Sequence, residues 1–171
     1  MEKLKLVHPA EEHKAEYEAM MDEWENYGGR LNPGALRRYS KMLQKNVSYE
    51  TWLKWIEVDR NSIQDLYFLM KGNRILGAIS IRFTKTAREL GADGHSGYGI
   101  RPSERQKGYA STMLAMALPI MKEYGIDPIS ITCDKDNIGS VKTIMKNGGQ
   151  LVEEVIDEDT GKMVQIYYIV L

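Results

Sequence analysis

One cysteine, Cys133, is all this chain of 171 residues has, so no internal disulfide can brace its fold. Its three histidines, His8, His13 and His95, are scattered without ligand spacing, and no metal site is expected. No apolar run approaches the roughly 20 residues needed to cross a bilayer, and no fixed-period repeat interrupts the chain. An excess of either charge is also missing: 23 Lys and Arg stand against 24 Asp and Glu, a net charge of −1. That balance argues against a nucleic-acid coat or an anionic-membrane binder, so any anion site must be local. The opening "MEKLKLVHPAEEHK" has neither the apolar core nor the cleavage site of a secretory signal, and a cytoplasmic location is expected. Neither GxGxxG nor GxxxxGK[ST] occurs, which removes both common nucleotide fingerprints.

The length fits a single domain, residues 1–171, with one substantial core. "KLKLV" alternates like a short strand, and Pro9 suits the first turn of a helix running from about Ala10 to Glu25. Tyr17, Met20, Met21 and Trp24 recur at helical spacing as core contacts. Gly28, Gly29, Pro33 and Gly34 mark a loop before one or two further helices through "LRRYSKMLQ" and "SYETWLKWI". From Asp65 the pattern changes to strands. "DLYFLM" and "RILGAISIRF" flank Gly72-Asn73 as a hairpin, and "SGYGIRP" follows as a third strand. "GYASTMLAMALPIMKEYG" reads as a helix with a kink or restart expected at Pro119. "PISITCD" has the β-branched, apolar character of a buried parallel strand. "NIGSVKTIMKNGG" is a helix closed by Gly148-Gly149, and "QLVEEVID" with "KMVQIYYIVL" completes a final hairpin.

The chemistry concentrates in "IRPSERQKGYAST", residues 100–112. A strand, this loop, a helix and a strand make one βαβ unit, with the loop at the carboxyl end of the first strand, where open sheets place ligands. A helix N-terminus there offers unpaired N–H donors and partial positive charge, and Arg105 and Lys107 add the same sign. Small residues at Gly108, Ala110 and Ser111 let an anion reach the backbone. On these grounds alone, a phosphate cradle and a solvated basic turn both fit.

"RQKGYA", Arg105 to Ala110, resembles the Arg/Gln-x-x-Gly-x-Gly/Ala pattern of the GNAT superfamily of acyl-CoA-dependent N-acetyltransferases. "DKDNIGSVKTIMKNGG" is similar to that family's Asn-led helix. The resemblance implies a mixed α/β fold: a mostly antiparallel twisted sheet with a central parallel βαβ unit splayed to admit coenzyme A, and helices on both faces. It implies acetyl-CoA as co-substrate, with the pyrophosphate held by the backbone of Gln106, Lys107, Gly108, Tyr109, Ala110 and Ser111. Arg105 would give electrostatic support and Thr112 a hydroxyl. Ile100 and Arg101 would pair with the pantetheine arm through their backbones, Asn137 would hydrogen-bond it, and Ser140 would line the channel. Gly97 and Gly99 would mark a bulge or the close approach of another backbone, where the sheet splays at this strand so that the pantetheine can enter. The N-terminal helices in residues 9–60, the "GGRLNPG" loop and the final hairpin would frame the acceptor.

The implied reaction is direct attack of a neutral amine on the thioester in a ternary complex, with no acyl-enzyme. The family's acid, a tyrosine in the Asn-led helix, is replaced by Ile144, so Ser140, a tyrosine from elsewhere or solvent is the candidate donor, and a coenzyme A thiolate is a fair leaving group without one. His95 is the candidate base, with Glu89, Asp93 and Asp134 as carboxylates acting through water. Cys133 sits in an apolar strand, where a thiol is usually neutral and inert. A non-catalytic acyl-CoA-binding module is the alternative, because the acid and base are not evident. Ten methionines give adaptable apolar surface that would suit a homodimer.

Overall fold

The computed structural model describes residues 1–171. In chain order the elements are β1 (Leu4–Val7), α1 (Lys14–Tyr27), β2 (Tyr39–Ser40), β3 (Lys45–Asn46), α2 (Tyr49–Arg60), β4 (Gln64–Lys71) and β5 (Arg74–Arg82). They continue with α3 (Ala87–Leu90), β6 (Ser96–Ile100), α4 (Tyr109–Glu123), β7 (Ile129–Asp134), α5 (Ile138–Lys146), β8 (Gln150–Ile156) and β9 (Met163–Ile169). Seven strands form one sheet in the order β1-β4-β5-β6-β7-β9-β8, and β2 and β3 pair separately. Every neighbouring pair in the large sheet is antiparallel except β6 with β7. This is the mixed architecture expected from the sequence.

Alternation along the strands sends apolar side chains to both faces of the sheet. On one face Ile79, Ile81, Ile129 and Ile131 pack with Met113 and Ala117 of α4 and Ile144 of α5. On the other, Phe68 and Ala78 meet Tyr17 and Trp24 of α1 and Trp52 of α2. Tyr17 and Trp52 stack with centroids 4.7 Å apart, and the Tyr17 hydroxyl donates to the Leu36 carbonyl, pinning the chain that follows α1. Burying a large aromatic contributes roughly 1.5–3 kcal/mol, so this aromatic group holds α1 and α2 to the sheet.

Gly72-Asn73 closes the β4–β5 hairpin, with Lys71 opposite Arg74. Two local expectations change. "LRRYSKMLQ" is the β2–β3 hairpin rather than a helix: Leu36 is drawn under Tyr17 and Trp52 donates to the Ala35 carbonyl, while Met42 and Leu43 stay exposed. A segment with no buried apolar stripe has nothing to stabilise it as a helix. Of the kink or restart expected at Pro119, the restart is absent: α4 runs through the proline to Glu123.

The feature that positions the site lies between β6 and β7. Strand β6 pairs with β5 along its whole length, Ser96 to Ile100, yet meets β7 only at Ser96–Ile131. The His95 N–H donates to the Ser130 carbonyl at 2.7 Å, closing the lower end. Strand β7 stays paired with β9 from Ile129 to Asp134, so the separation is confined to the β6–β7 seam.

Candidate functional site

At the upper end of that gap, β6 leads through residues 101–108 into α4. Gly108 is the N-cap at φ 81°, and Gln106 also has positive φ, 60°. Gln106 is a non-glycine residue in the left-handed region, a costly conformation that turns successive amides to the same side. Gly108 has open space where a side chain would begin, so its conformation, rather than crowding, calls for glycine. No side chain caps α4, and the first helical bond runs from Thr112 N to the Gly108 carbonyl, 3.2 Å. The N–H groups from Gln106 through Ser111 have no protein acceptor. A row of unpartnered amides at a helix start offers an anion its hydrogen-bond donors and the positive end of the helix dipole.

The charged neighbours contribute less than their number suggests. Lys107 Nζ lies 3.0 Å from Glu104, which is also bound by Arg74 at 2.8 Å. Arg105 turns away from the amides: its guanidinium lies over the rings of Trp24 and Tyr27, 5.2 and 4.9 Å from their centroids, and its Nε donates to the Ile100 carbonyl at 3.0 Å. The Thr112 hydroxyl donates to the Gly108 carbonyl.

The gap below has distinct walls. Arg82 N donates to the His95 carbonyl and Arg101 N to the Leu76 carbonyl, so odd-numbered residues of β6 turn their polar groups toward β5. By alternation, Tyr98 and Ile100 turn theirs into the gap. The Tyr98 side chain crosses to α5, where its hydroxyl lies 2.7 Å from Ser140 Oγ. Burial drives the Tyr98 phenol well above its ordinary pKa, so it remains a neutral donor. Cys133 shares this wall, and burial likewise raises its thiol. Asn137 caps α5 by accepting from Ser140 N at 3.1 Å through Oδ1, which leaves its exposed amide Nδ2 without a protein partner.

On the opposite face, α1 and the loop after it press on β6. A Cβ at Gly99 would collide with the Asn32 carbonyl oxygen and lie 2.7 Å from Trp24. Another backbone does approach this glycine, and it belongs to the 28–34 loop. Arg101 is buried and joins the two regions: its Nε donates to Glu23 at 2.6 Å and its Nη1 to Glu16 at 2.5 Å. Glu23 also accepts from Ser103 N at 2.7 Å. Burial opposes ionisation of Glu23, but the hydrogen bonds from Ser103 and Arg101 outweigh it and bring its pKa down to about 2.

Several sequence-selected residues therefore have other tasks. Both backbone groups of Arg101 are engaged, its N–H with Leu76 and its carbonyl with Glu104 N, so it braces the loop. His95 is 1% exposed, with Nδ1 accepting from Ser130 N and Nε2 against the Lys85 carbonyl, each at 2.9 Å. Its ring has no free nitrogen for a substrate, and burial, the largest influence, lowers its pKa. Glu89 forms a capping box with Thr86 and Asp134 lies 3.3 Å from Lys162, while Asp93 meets Arg82 through its backbone carbonyl and not its carboxylate. Ile144 is fully buried in the α4 core, so its position does not present a side chain to the gap. Tyr98 is the residue the sequence pattern undervalued, although its place between Gly97 and Gly99 puts it on the face opposite to theirs.

A family model described as an acetyltransferase (GNAT) domain matches residues 3–150. Among solved structures, the chain is similar to RimL, a ribosomal L7/L12 alpha-N-protein acetyltransferase in complex with coenzyme A. Identity is 18% with a TM-score of 0.68, over 98% of this chain and 94% of that one. It is similar to the microcin C7 self immunity acetyltransferase MccE in complex with acetyl-CoA and AMP, at 19% identity and TM-score 0.70, over 99% and 93%. It is also similar to Mycobacterium smegmatis RimJ in complex with CoA-disulfide, at 12% identity and TM-score 0.72, over 98% and 81%. No curated protein sequence matches the chain. The structural likenesses speak for the fold, and the family match extends over most of the sequence. Strand separation, helix start and family match agree: the chain belongs to the GNAT acetyltransferase family, whose co-substrate is acetyl-CoA.

Proposed function

We propose that this protein transfers the acetyl group of acetyl-CoA to a primary amine by direct attack within a ternary complex. The observation that carries the proposal is the row of unpartnered amides, Gln106 to Ser111, standing at the mouth of a gap where β6 and β7 have parted. The amides hold the pyrophosphate, the Asn137 amide and the backbone of Ile100 hold the pantetheine arm, and the gap admits it to the centre of the sheet.

Acetyl-CoA supplies a thioester carbonyl already activated toward amines. The Ile100 N–H, turned into the gap, donates to the carbonyl oxygen as charge develops there. The Tyr98–Ser140 hydroxyl pair donates to the departing sulfur. Because the phenol is a weak acid in this setting, its contribution is a hydrogen bond more than a completed proton transfer. With both His95 nitrogens engaged, the acceptor gives its ammonium proton to water, attacks as the neutral amine and sheds the second proton to water. The acceptor class favoured is the α-amino group of a polypeptide, the group on which RimL acts by its name.

Calorimetric titration with acetyl-CoA, followed by thiol release with peptides, lysine and polyamines, tests the proposal. Binding should be detected, and turnover with an α-amine should rise with pH until the amine's own pKa, about 8, is passed. Absence of acetyl-CoA binding would overturn the proposal. A rate that levels off near pH 6.5, the ordinary histidine range, would instead restore an enzymic base.

A further inference from the structure

From Asn26 to Tyr49 the chain contains no Asp or Glu but five basic residues, Arg30, Arg37, Arg38, Lys41 and Lys45, in a protein of net charge −1. This segment is the loop after α1 together with the β2–β3 hairpin. Of the five cations only Arg38 has a carboxylate within reach, Glu18 at 3.8 Å. At the hairpin, Tyr39, Met42 and Leu43 are exposed. A folded domain usually intersperses its charges and covers such side chains, so an uncompensated basic hairpin with an apolar tip fits a docking surface.

The hairpin forms one wall of a pocket of about 420 Å³, and Asp22, Trp24 and Glu25 of α1 form the facing wall. Neither Asp22 nor Glu25 is in an ion pair. Trp24 belongs to both the pocket and the contact with Gly99 on β6, so the pocket adjoins the strand that would hold the thioester. Carboxylates on α1 and cations on the hairpin present opposite charges to a single occupant.

We propose that residues 26–49 dock an acidic polypeptide whose α-amino group is the acceptor. Asp22 and Glu25 attract the ammonium end toward Trp24 and β6, while Arg37, Lys41 and Lys45 pair with acidic side chains farther along the polypeptide. Tyr39, Met42 and Leu43 cover its apolar groups. An RNA backbone suits the surface less well, because the two α1 carboxylates would face its phosphates. The inference rests on the acetyl-transfer reading given above and adds the class of acceptor.

The test is fluorescence anisotropy with the full chain and coenzyme A present. Three labelled peptides with the same free N-terminal residue carry acidic, neutral or basic side chains at the following positions, and a labelled RNA oligonucleotide is the fourth probe. The acidic peptide should bind about tenfold more tightly than the neutral one near 50 mM salt, with the advantage shrinking toward about 300 mM. Lys41→Glu with Lys45→Glu should erase the advantage, and Arg37→Gln, at an exposed position, should reduce it a few-fold. Equal binding of the three peptides, preference for RNA, or an unchanged advantage in both variants would overturn the docking surface. Failure of acetyl transfer would register separately: an acidic preference without acetyl-CoA binding in calorimetry would contradict the catalytic reading and leave the surface standing.

Discussion

The two faces of the β6 strand achieve their ends by different means. Toward α4 and α5 the site is made from backbone: positive-φ turns at Gln106 and Gly108, free amides to Ser111, and the unpaired edge of β6. Toward α1 it is made from side chains: Trp24 against Gly99, Arg105 over Trp24 and Tyr27, and Arg101 between Glu16 and Glu23. A backbone device needs only that a few positions take the required backbone conformation, so other residues along it can vary. A side-chain device depends on partners many residues apart. The difference explains why the α4 side carries a short sequence pattern and the α1 side does not.

Substitutions that load one face or the other separate these two constructions. The largest effect is expected at Gly108→Asp, which strains the left-handed position and sets a negative charge at the amide row. Acetyl-CoA affinity by calorimetry should fall on the order of a hundredfold. Gly99→Ala, on the side-chain face, should lower unfolding free energy by about 2 kcal/mol through overpacking against Asn32 and Trp24, measured by denaturant titration. Tyr98→Phe should reduce the turnover rate about tenfold by removing one donor to sulfur, with acetyl-CoA affinity nearly unchanged. The smallest effect is expected at Lys107→Ala, where affinity should change less than about threefold, because that ammonium is already shared with Glu104.

Acidification probes the junction of the two faces. The Glu23 pKa lies near 2 rather than 4.5, so the folded form holds the proton less tightly than the unfolded chain. Its contribution to stability is full above the unfolded pKa and is lost as pH falls from about 4.5 toward 2. Denaturant titrations across that range should show a steep loss for the wild type and a flatter one for Glu23→Gln.

How much of this was legible in the sequence follows the same division. Residues 106–111 and Asn137 were visible as a local pattern, and alternation in "RILGAISIRF" and "KMVQIYYIVL" exposed their strands. The β2–β3 hairpin was misread as helix because its course is fixed by Tyr17 and Trp52 binding the carbonyls of Leu36 and Ala35. His95 looked like a free base because Ser130 and Lys85, which occupy its ring, lie 35 and 10 residues away. Arg105 reads as a cofactor residue by its charge, and Arg101 by the backbone pairing the family resemblance implies; the side chains of α1 and the carbonyl of Leu76 that engage them lie far off in the sequence. Non-local contacts, absent from any short stretch, account for each of these.

Backbone amides, more than basic side chains, are proposed to hold the acetyl donor. Amide hydrogen exchange with and without acetyl-CoA tests this most directly. Protection should appear at Gln106 through Ser111 and at Tyr98 and Ile100, the groups without protein acceptors in the loop and along the gap. Unchanged exchange at Gln106 through Ser111 under saturating acetyl-CoA, with protection confined to other parts of the chain, would contradict it.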